Sequence, residues 1–361
     1  MKATLILSNG AVFQGKSIGA IGECVCEMVF NTSMVGYQEI LTDPSYAGQG
    51  VVMSYPLVGN YGVNSEDDQS AGSWCSAFVV RHLSERGSNF RNEGTLDQYL
   101  KQNNIVGIEG VDTRAITRIL RNQGTMNGMI TCAEHFCVEE KLAEIRAYQI
   151  RGAVEKVTRK EPEQIPAQSE EKLRMAVMDY GVTKAMIEGM TSRGCSVTVY
   201  PANTPAETIL NGGYAGVMLS NGPGDPTENT AAIAEIKKLY DGTIPLFAIG
   251  LGHQMLALAN GIRVNKMPFG HRGGNHPVRA VKGGRLFITN QNHGYCVCGE
   301  SVDAAVAEIS HVHVNDGSVE GLNYARPNCI SIQFSPEGSP GPEDIFDRFV
   351  EMMVKGDNCN A

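Results

Sequence analysis

The sequence predicts an α/β protein of two domains, an N-terminal α+β domain and a C-terminal domain built on a mostly parallel sheet flanked by helices. Three observations predict it. The 361 residues exceed one ordinary core and suit two domains of roughly 100–200 residues each. Apolar strand-like runs alternate with helical stretches from Arg174 onward, the pattern of a parallel sheet with helices on both faces. Between these halves, GAVEKVTRKEPEQIPAQSEE (Gly152 to Glu171) is polar, contains proline and is poor in large apolar residues, the composition of a linker. The expected boundaries are therefore 1–151, a linker at 152–171, and 172–361.

The elements follow in order. MKATLILSNGAVFQG at the start breaks at Asn9-Gly10 and reads as a hairpin. It lacks the small-residue cleavage site that would follow the apolar core of a signal peptide. The rest of the first domain is rich in short strands and turns. In the second, RMAVMD (Arg174 to Asp179) suits a strand buried on both faces. A helix is expected near Lys184 to Arg193, then strands at SVTVYP (Ser196 to Pro201) and GVMLS (Gly216 to Ser220), and a helix from Ala231 to Tyr240. PLFAI (Pro245 to Ile249) is a strand and HQMLALA (His253 to Ala259) a helix. The stretch from His276 to Phe334 is strand-rich. The chain closes on EDIFDRFVEMM, with Ile345, Phe349 and Met353 on one helical face.

Composition excludes several functions. Hydrophobic residues make up 42% and charged residues 19%, the balance of a soluble globular protein. No apolar run approaches the roughly 20 residues of a membrane span. The net charge of -9 argues against a nucleic-acid partner held through phosphates, and Arg159-Lys160 is too short a basic run to change that. The ten cysteines are scattered. Cys24/Cys26 and Cys296/Cys298 form C-x-C pairs, and neither has zinc-site spacing. Reduced, structural thiols of a cytoplasmic protein are expected, with no metal.

Three segments could carry chemistry. LSNGPGDP (Leu219 to Pro226) runs from a strand into a turn with exposed backbone N–H groups, at the strand end where open α/β sheets bind ligands. Taken alone, it is more often a plain β-to-α turn. PLFAIGLGHQMLALANG (Pro245 to Gly261) passes from strand to helix through Gly250-Leu251-Gly252, the geometry of a nucleophile elbow. Glycine there relieves strain and offers no side chain, so, taken alone, an ordinary glycine-rich turn is the better reading. QFSPEGSPGP (Gln333 to Pro342) ends a strand in Ser335-Pro336-Glu337, residue types that are usually surface-exposed.

Together, in this order and spacing, the three segments resemble the class I glutamine amidotransferases, which carry an S-N-G-P-G-D-P turn, a G-I-C-L-G-H-Q elbow and a terminal H-P-E. KMPFGHRGGNHPV (Lys266 to Val278), QNHGY (Gln291 to Tyr295) and EGSPGP (Glu337 to Pro342) further resemble the small subunit of carbamoyl-phosphate synthetase. The first half agrees. GECVCEMVFNTSMVGYQEILTDPSYAGQ, YPLVGNYGVN, SNFRNEGTLDQYL and NNIVGIEGVDTRAITRILRNQGTMNGMI are similar to that subunit's N-terminal domain. The resemblance covers nearly the whole chain except the linker and the ends.

The resemblance implies a cysteine that attacks the glutamine amide, a histidine that acts as base and then acid, and a glutamate that orients the histidine. Backbone N–H groups form the oxyanion hole. Ammonia then passes to a large subunit that holds ATP and magnesium and makes carbamoyl phosphate, for arginine or pyrimidine synthesis. No cofactor is implied for this chain.

Two departures fall on that machinery: Gly250 occupies the nucleophile position and Ser335 the base position. Only Glu337 of the catalytic set is kept. Thr183 and Ala185 stand where the family usually has Lys and Asn, which bears on a surface or subunit contact. The glutamine-binding set implied by the resemblance is Ser45, Gly222, Gly224, Leu251, Gln254, Asn292, Gly294 and Tyr295, the last usually Phe.

Gly250 is expected in backbone angles unfavourable to a side-chain-bearing residue. Cys296 and Cys298 follow the QNHGY segment and so could lie near the pocket, but a nucleophile needs the elbow's alignment with the oxyanion hole, and a misplacement of about 1 Å can cost about 100-fold. His253 and His293 read as structural. Two functions of different class follow. One is a catalytically silent subunit that docks on and supports a large subunit using free ammonia. The other is a regulatory module that binds L-glutamine without turnover. Engineering of the two positions to trap a substrate is a third origin, against which Thr183 and Ala185 weigh as marks of natural divergence.

Overall fold

The computed structural model describes residues 1–337 and 344–357. Most of the EGSPGP motif, from 338 to 342, lies outside the described residues. The chain divides into two units, one comprising Met1–Ala153 with Pro268–Gly273, the other Val154–Met267 with Gly274–Ala361.

The first unit is a closed barrel of seven strands, in the order Lys2–Leu7, Val12–Gly19, Val106–Glu109, Ala77–Val79, Gln49–Met53, Glu23–Asn31, Met126–Thr131. The hairpin at Asn9-Gly10 forms as expected: Ile6 pairs with Val12 antiparallel, and Gly10 takes φ 90. Closure comes from Thr4 to Leu7 pairing with Gly128 to Thr131, a contact that no local pattern announces. Helices at Tyr37–Thr42, Leu96–Gln102, Thr113–Gln123 and Val138–Ala147 make the unit α+β. Thr95 caps the second of these with a reciprocal Thr95–Gln98 capping box.

The second unit holds a ten-stranded sheet. Its centre is parallel, in the order Cys195–Pro201, Leu173–Asp179, Gly216–Leu219, Leu246–Ile249, Cys329–Ile332. Antiparallel strands extend it on the far side: Val319–Tyr324, Leu286–Val297, Val264–Ala280 and Ala307–His313.

Successive side chains on a strand point to opposite faces, and both faces are buried here. Ala176 and Met178 join one core with Leu251, Met255 and Leu256 of the helix Leu251–Ala259 and with Ala232, Ile236 and Leu239 of Thr230–Asp241. Met175 and Val177 join the other, with Met186 and Met190 of Lys184–Thr191. The last helix, Asp344–Asp357, lies on that same side. Ile345, Phe349 and Met353 are buried as its periodicity predicts, together with Phe346 and Met352. Each such side chain contributes about 1.5–3 kcal/mol of burial. Helices thus cover both faces of a mostly parallel sheet, as the strand-helix alternation predicted.

The segment from Gly152 to Glu171 differs from the tether its composition suggested. It holds a helix at Ala153–Val157 and a strand, Glu163–Ile165, paired antiparallel with Val197 to Val199 on the sheet edge. Val154 is buried in the core. Arg159 donates from its backbone N–H and its Nε to Asp179 Oδ2, both at 3.0 Å. A few well-placed contacts, not overall hydrophobicity, dock this polar stretch on the second unit. The segment Pro268–Gly273, the middle of the strand Val264–Ala280, groups with the first unit, so the second is not one continuous run from 172.

No helix among the described residues is long and apolar enough to cross a membrane. All nine described cysteines are free.

Candidate functional site

The candidate site is built at the carboxyl ends of three neighbouring parallel strands in the second unit. Gly216–Leu219 leads into the turn from Ser220 to Asp225. Leu246–Ile249 leads through Gly250 into the helix Leu251–Ala259. Cys329–Ile332 leads to Gln333 and Ser335.

Gly250 stands between strand and helix with φ 56 and ψ -112, angles that strain any residue with a Cβ. Its N–H donates to the Ile332 carbonyl at 3.0 Å, and the Gly252 N–H donates to the Ser220 carbonyl at 3.0 Å. These bonds pin the elbow to both adjacent strands. A Cβ on Gly250 would lie 3.0 Å from Asn221 Cβ and 3.9 Å from the Gln333 carbonyl oxygen. The nucleophile position therefore faces the first turn on one side and the end of the third strand on the other. It has the geometry of an elbow and carries no side chain.

The first turn needs glycine on steric grounds. A Cβ on Gly222 would run into the Tyr180 carbonyl oxygen and approach Leu251 Cδ2 to 2.9 Å. Gly224 sits at φ 87, and Asp225 Oδ1 accepts from the Thr227 N–H at 2.9 Å to start the following turn. Ser335 is half-buried, and its N–H donates to the Asn290 carbonyl at 3.0 Å. It is thereby fixed beside the strand Leu286–Val297. A hydroxyl there cannot act as an imidazole base. Glu337 is half-buried and lines a cavity of about 470 Å³ with Arg193, Glu188 and Phe346.

That strand carries Asn292, Gly294 and Tyr295. Gln254, on the first turn of the elbow helix, donates through Nε2 to the Tyr295 carbonyl and to Gln333 Oε1, both at 2.9 Å. The Tyr295 hydroxyl donates to Asp225 Oδ2 at 3.1 Å. Gly222, Gly224, Gly250, Leu251, Gln254 and Tyr295 are thus linked by bonds or contacts around one set of strand ends. Asn292 and Gly294 follow on the same strand as Tyr295. Ser45 belongs to the first unit, where it is buried on the short turn Pro44–Tyr46 and its N–H donates to Asp43 Oδ1 at 2.9 Å.

The nearby histidines and cysteines have other surroundings. His253 is fully buried, its Nδ1 lies 2.7 Å from Ser331 Oγ, and burial pushes its pKa down to about 3. His293 holds the Tyr295 carbonyl through Nδ1 at 2.8 Å, so that nitrogen carries a proton, and its Nε2 faces Gln291 Oε1 at 2.9 Å. Burial, reinforced by the Asp316 and Glu320 carboxylates, pushes the Cys296 thiol up to about 11, where little of the nucleophilic thiolate exists at neutral pH. The Arg263 guanidinium approaches Cys298 Sγ at 3.8 Å.

Sequence reasoning missed three participants. Gln333 is the partner of Gln254. Glu320 is fully buried and accepts from Gln291 Nε2 at 3.0 Å. Asp225 takes the Tyr295 hydroxyl. Only the last had a signal, since Tyr for Phe at 295 adds one hydroxyl that needs a partner. Thr183 also acquires a local role: it caps the helix Lys184–Thr191, its side chain accepting from the Met186 N–H.

Comparison with known proteins agrees with this geometry. The family described as Carbamoyl-phosphate synthase small chain, CPSase domain, matches residues 5–130, and Glutamine amidotransferase class-I matches residues 176–352. The chain is 47% identical over 357 residues to the carbamoyl phosphate synthase small chain of Clostridium perfringens, covering 98% of this chain and 100% of that protein. It is 45% identical to the small chain of Syntrophotalea carbinolica, covering 98% of each. It is 42% identical to the carbamoyl phosphate synthase pyrimidine-specific small chain of Bacillus subtilis, covering 98% of this chain and 96% of that protein.

Proposed function

This chain belongs to the carbamoyl-phosphate synthase small chain family, and on that premise we propose that it is a small subunit whose own glutaminase chemistry is silent. It docks on a large subunit and supports synthesis of carbamoyl phosphate from free ammonia there. ATP and magnesium are the large subunit's requirements, and this chain contributes no cofactor.

The observation that carries the reading is Gly250. It occupies the strained strand-to-helix position of a nucleophile elbow and has no side chain to attack an amide. Ser335 at the base position supplies no imidazole. His253 is held neutral by burial, both ring nitrogens of His293 are engaged, and the Cys296 thiol is held protonated. Each supports the view that no second nucleophile–base pair has taken over.

Ammonia release from glutamine by the purified chain, alone and with a large subunit, tests this. The expected result is a silent wild type and a Gly250→Cys/Ser335→His variant at least about 100-fold more active. Glutamine-dependent release by the wild type at a useful rate overturns the proposal. Failure to co-purify with any large subunit overturns its second half.

The ordered pocket supports a second reading, a regulatory module that binds L-glutamine without turning it over. Gln254, Tyr295 and the Gly222–Asp225 turn are tied together even though the nucleophile is missing. Calorimetric titration decides: no heat at millimolar glutamine removes this reading.

A further inference from the structure

We infer that Tyr295 is a positioning residue that latches the Gly222–Asp225 turn to the elbow helix and holds that turn close against Gly250.

Tyr295 is a junction of three segments. Its carbonyl accepts from Gln254 Nε2 of the elbow helix at 2.9 Å and from His293 Nδ1 at 2.8 Å. Its hydroxyl donates to Asp225 Oδ2 at 3.1 Å, 70 residues away in sequence. Asp225 is divided in the same way. Its Oδ1 accepts from the Thr227 N–H and hydroxyl at 2.9 and 2.7 Å, and its carbonyl accepts from Asn229 Nδ2 at 3.2 Å. One carboxylate oxygen therefore closes the turn on itself, and the other fastens that turn to Tyr295. A hydrogen bond to a carboxylate is among the stronger kinds.

The turn has a reason to need fastening. Asn221 at its start is the nearest neighbour of the space a side chain on Gly250 would fill, with Cβ 3.0 Å from that point. That is closer than an ordinary Cβ contact, so the turn lies tight against the glycine and must hold its place there. Two glycines, Gly222 and Gly224, add backbone freedom. The Tyr295–Asp225 bond restrains the opposite end. A ligand that requires the closed turn binds more weakly in proportion to the fraction of open turn, so the latch sets the affinity of the pocket proposed above for glutamine. Glutamine binding is the premise for that affinity alone; the latch itself is independent of any ligand.

Amide hydrogen exchange across 220–229 tests the latch directly, in the wild type, in Tyr295→Phe, in Gly250→Cys and in the double variant. Tyr295→Phe removes one hydroxyl and keeps the ring. Its expected effect is exchange faster by about tenfold across the turn, the scale of one charge-assisted hydrogen bond, with the core strand Leu246–Ile249 unchanged. In the Gly250→Cys background the same substitution is expected to accelerate exchange by only two- to threefold more, because the added Cβ crowds Asn221 and already loosens the turn. That non-additivity is the signature that an unrelated structural role does not produce. Unchanged exchange in Tyr295→Phe, or the same acceleration in both backgrounds, overturns the inference.

Glutamine titration of the same proteins separates the two claims. A several-fold weaker Kd in Tyr295→Phe supports the affinity role, and an unchanged Kd alongside faster exchange overturns it. Faster exchange in a protein that binds no glutamine at millimolar concentration keeps the latch and overturns the glutamine pocket.

Discussion

The elbow and the strand Leu286–Val297 lie in the same unit, yet they tolerate change in opposite ways. At the elbow, φ 56 and ψ -112 strain any side chain, so glycine at 250 relaxes the backbone. On the strand, Gln291 donates through Nε2 to Glu320 Oε2 and to Thr289 Oγ1, both at 3.0 Å, and faces His293 through Oε1. Glu320 is fully buried. Removing one member there leaves a buried carboxyl group short of a hydrogen bond. Position 250 therefore favours glycine on stability grounds, whereas the polar chain behind the pocket cannot be edited cheaply. Glycine at the elbow on a retained scaffold is the combination this asymmetry favours, which supports the proposed silent subunit.

The largest effect expected from this contrast is on the strand. Gln291→Leu removes a donor from a fully buried carboxylate and is expected to cost about 3 kcal/mol, read as a lower midpoint in denaturant unfolding. A loss below about 0.5 kcal/mol would mean that the strand is as permissive as the elbow.

Next is acid sensitivity. Burial lowers the pKa of His253 to about 3 and that of His311 to about 4, from an ordinary 6.5. Between those values the unfolded chain binds protons that the folded chain does not. Stability is fully present above pH 6.5 and falls as the pH drops toward 3, with a limiting slope of about 1.4 kcal/mol per pH unit for each histidine. At pH 5 the expected loss from His253 is about 2 kcal/mol. His253→Gln is expected to flatten that limb in unfolding curves measured from pH 7 to pH 5. An unchanged slope would remove His253 as its source.

At the elbow, Gly250→Cys alone is expected to destabilise by about 1–2 kcal/mol through backbone strain, although it adds buried sulfur. Unchanged or increased stability in thermal unfolding would mean that the elbow carries no strain and that the contrast with the strand is false.

The parts of the molecule legible in the sequence are those set by local pattern. The apolar runs at Arg174 to Asp179 and Pro245 to Ile249 gave buried parallel strands, Asn9-Gly10 gave the hairpin, and the order of strand, glycine and helix around Gly250 gave the elbow with its unfavourable angles. What stayed hidden depends on pairs far apart in the chain. The barrel closes where Lys2–Leu7 meets Met126–Thr131. The polar stretch after Gly152 docks because Arg159 meets Asp179, which its composition could not show. Asp225 and Gln333 entered the site only through partners 70 and 79 residues away. Residue types report local geometry well, and a hydrogen bond between distant segments leaves no periodic trace.

The smallest effect concerns Thr183, where the family usually has Lys. Its hydroxyl accepts from the Met186 N–H at 3.4 Å at the start of the helix Lys184–Thr191, and the residue is buried. Lysine has no side-chain acceptor for that N–H. Thr183→Ala is therefore expected to cost about 0.5–1 kcal/mol, the lower half of the cap range because the bond is long. Thr183→Lys is expected to cost at least as much while leaving co-purification with a large subunit unchanged. If Thr183→Lys instead strengthens that association without loss of stability, the departure at 183 is a change in subunit contact and not the local adjustment of a helix start. The divergence of this chain would then reach beyond its elbow.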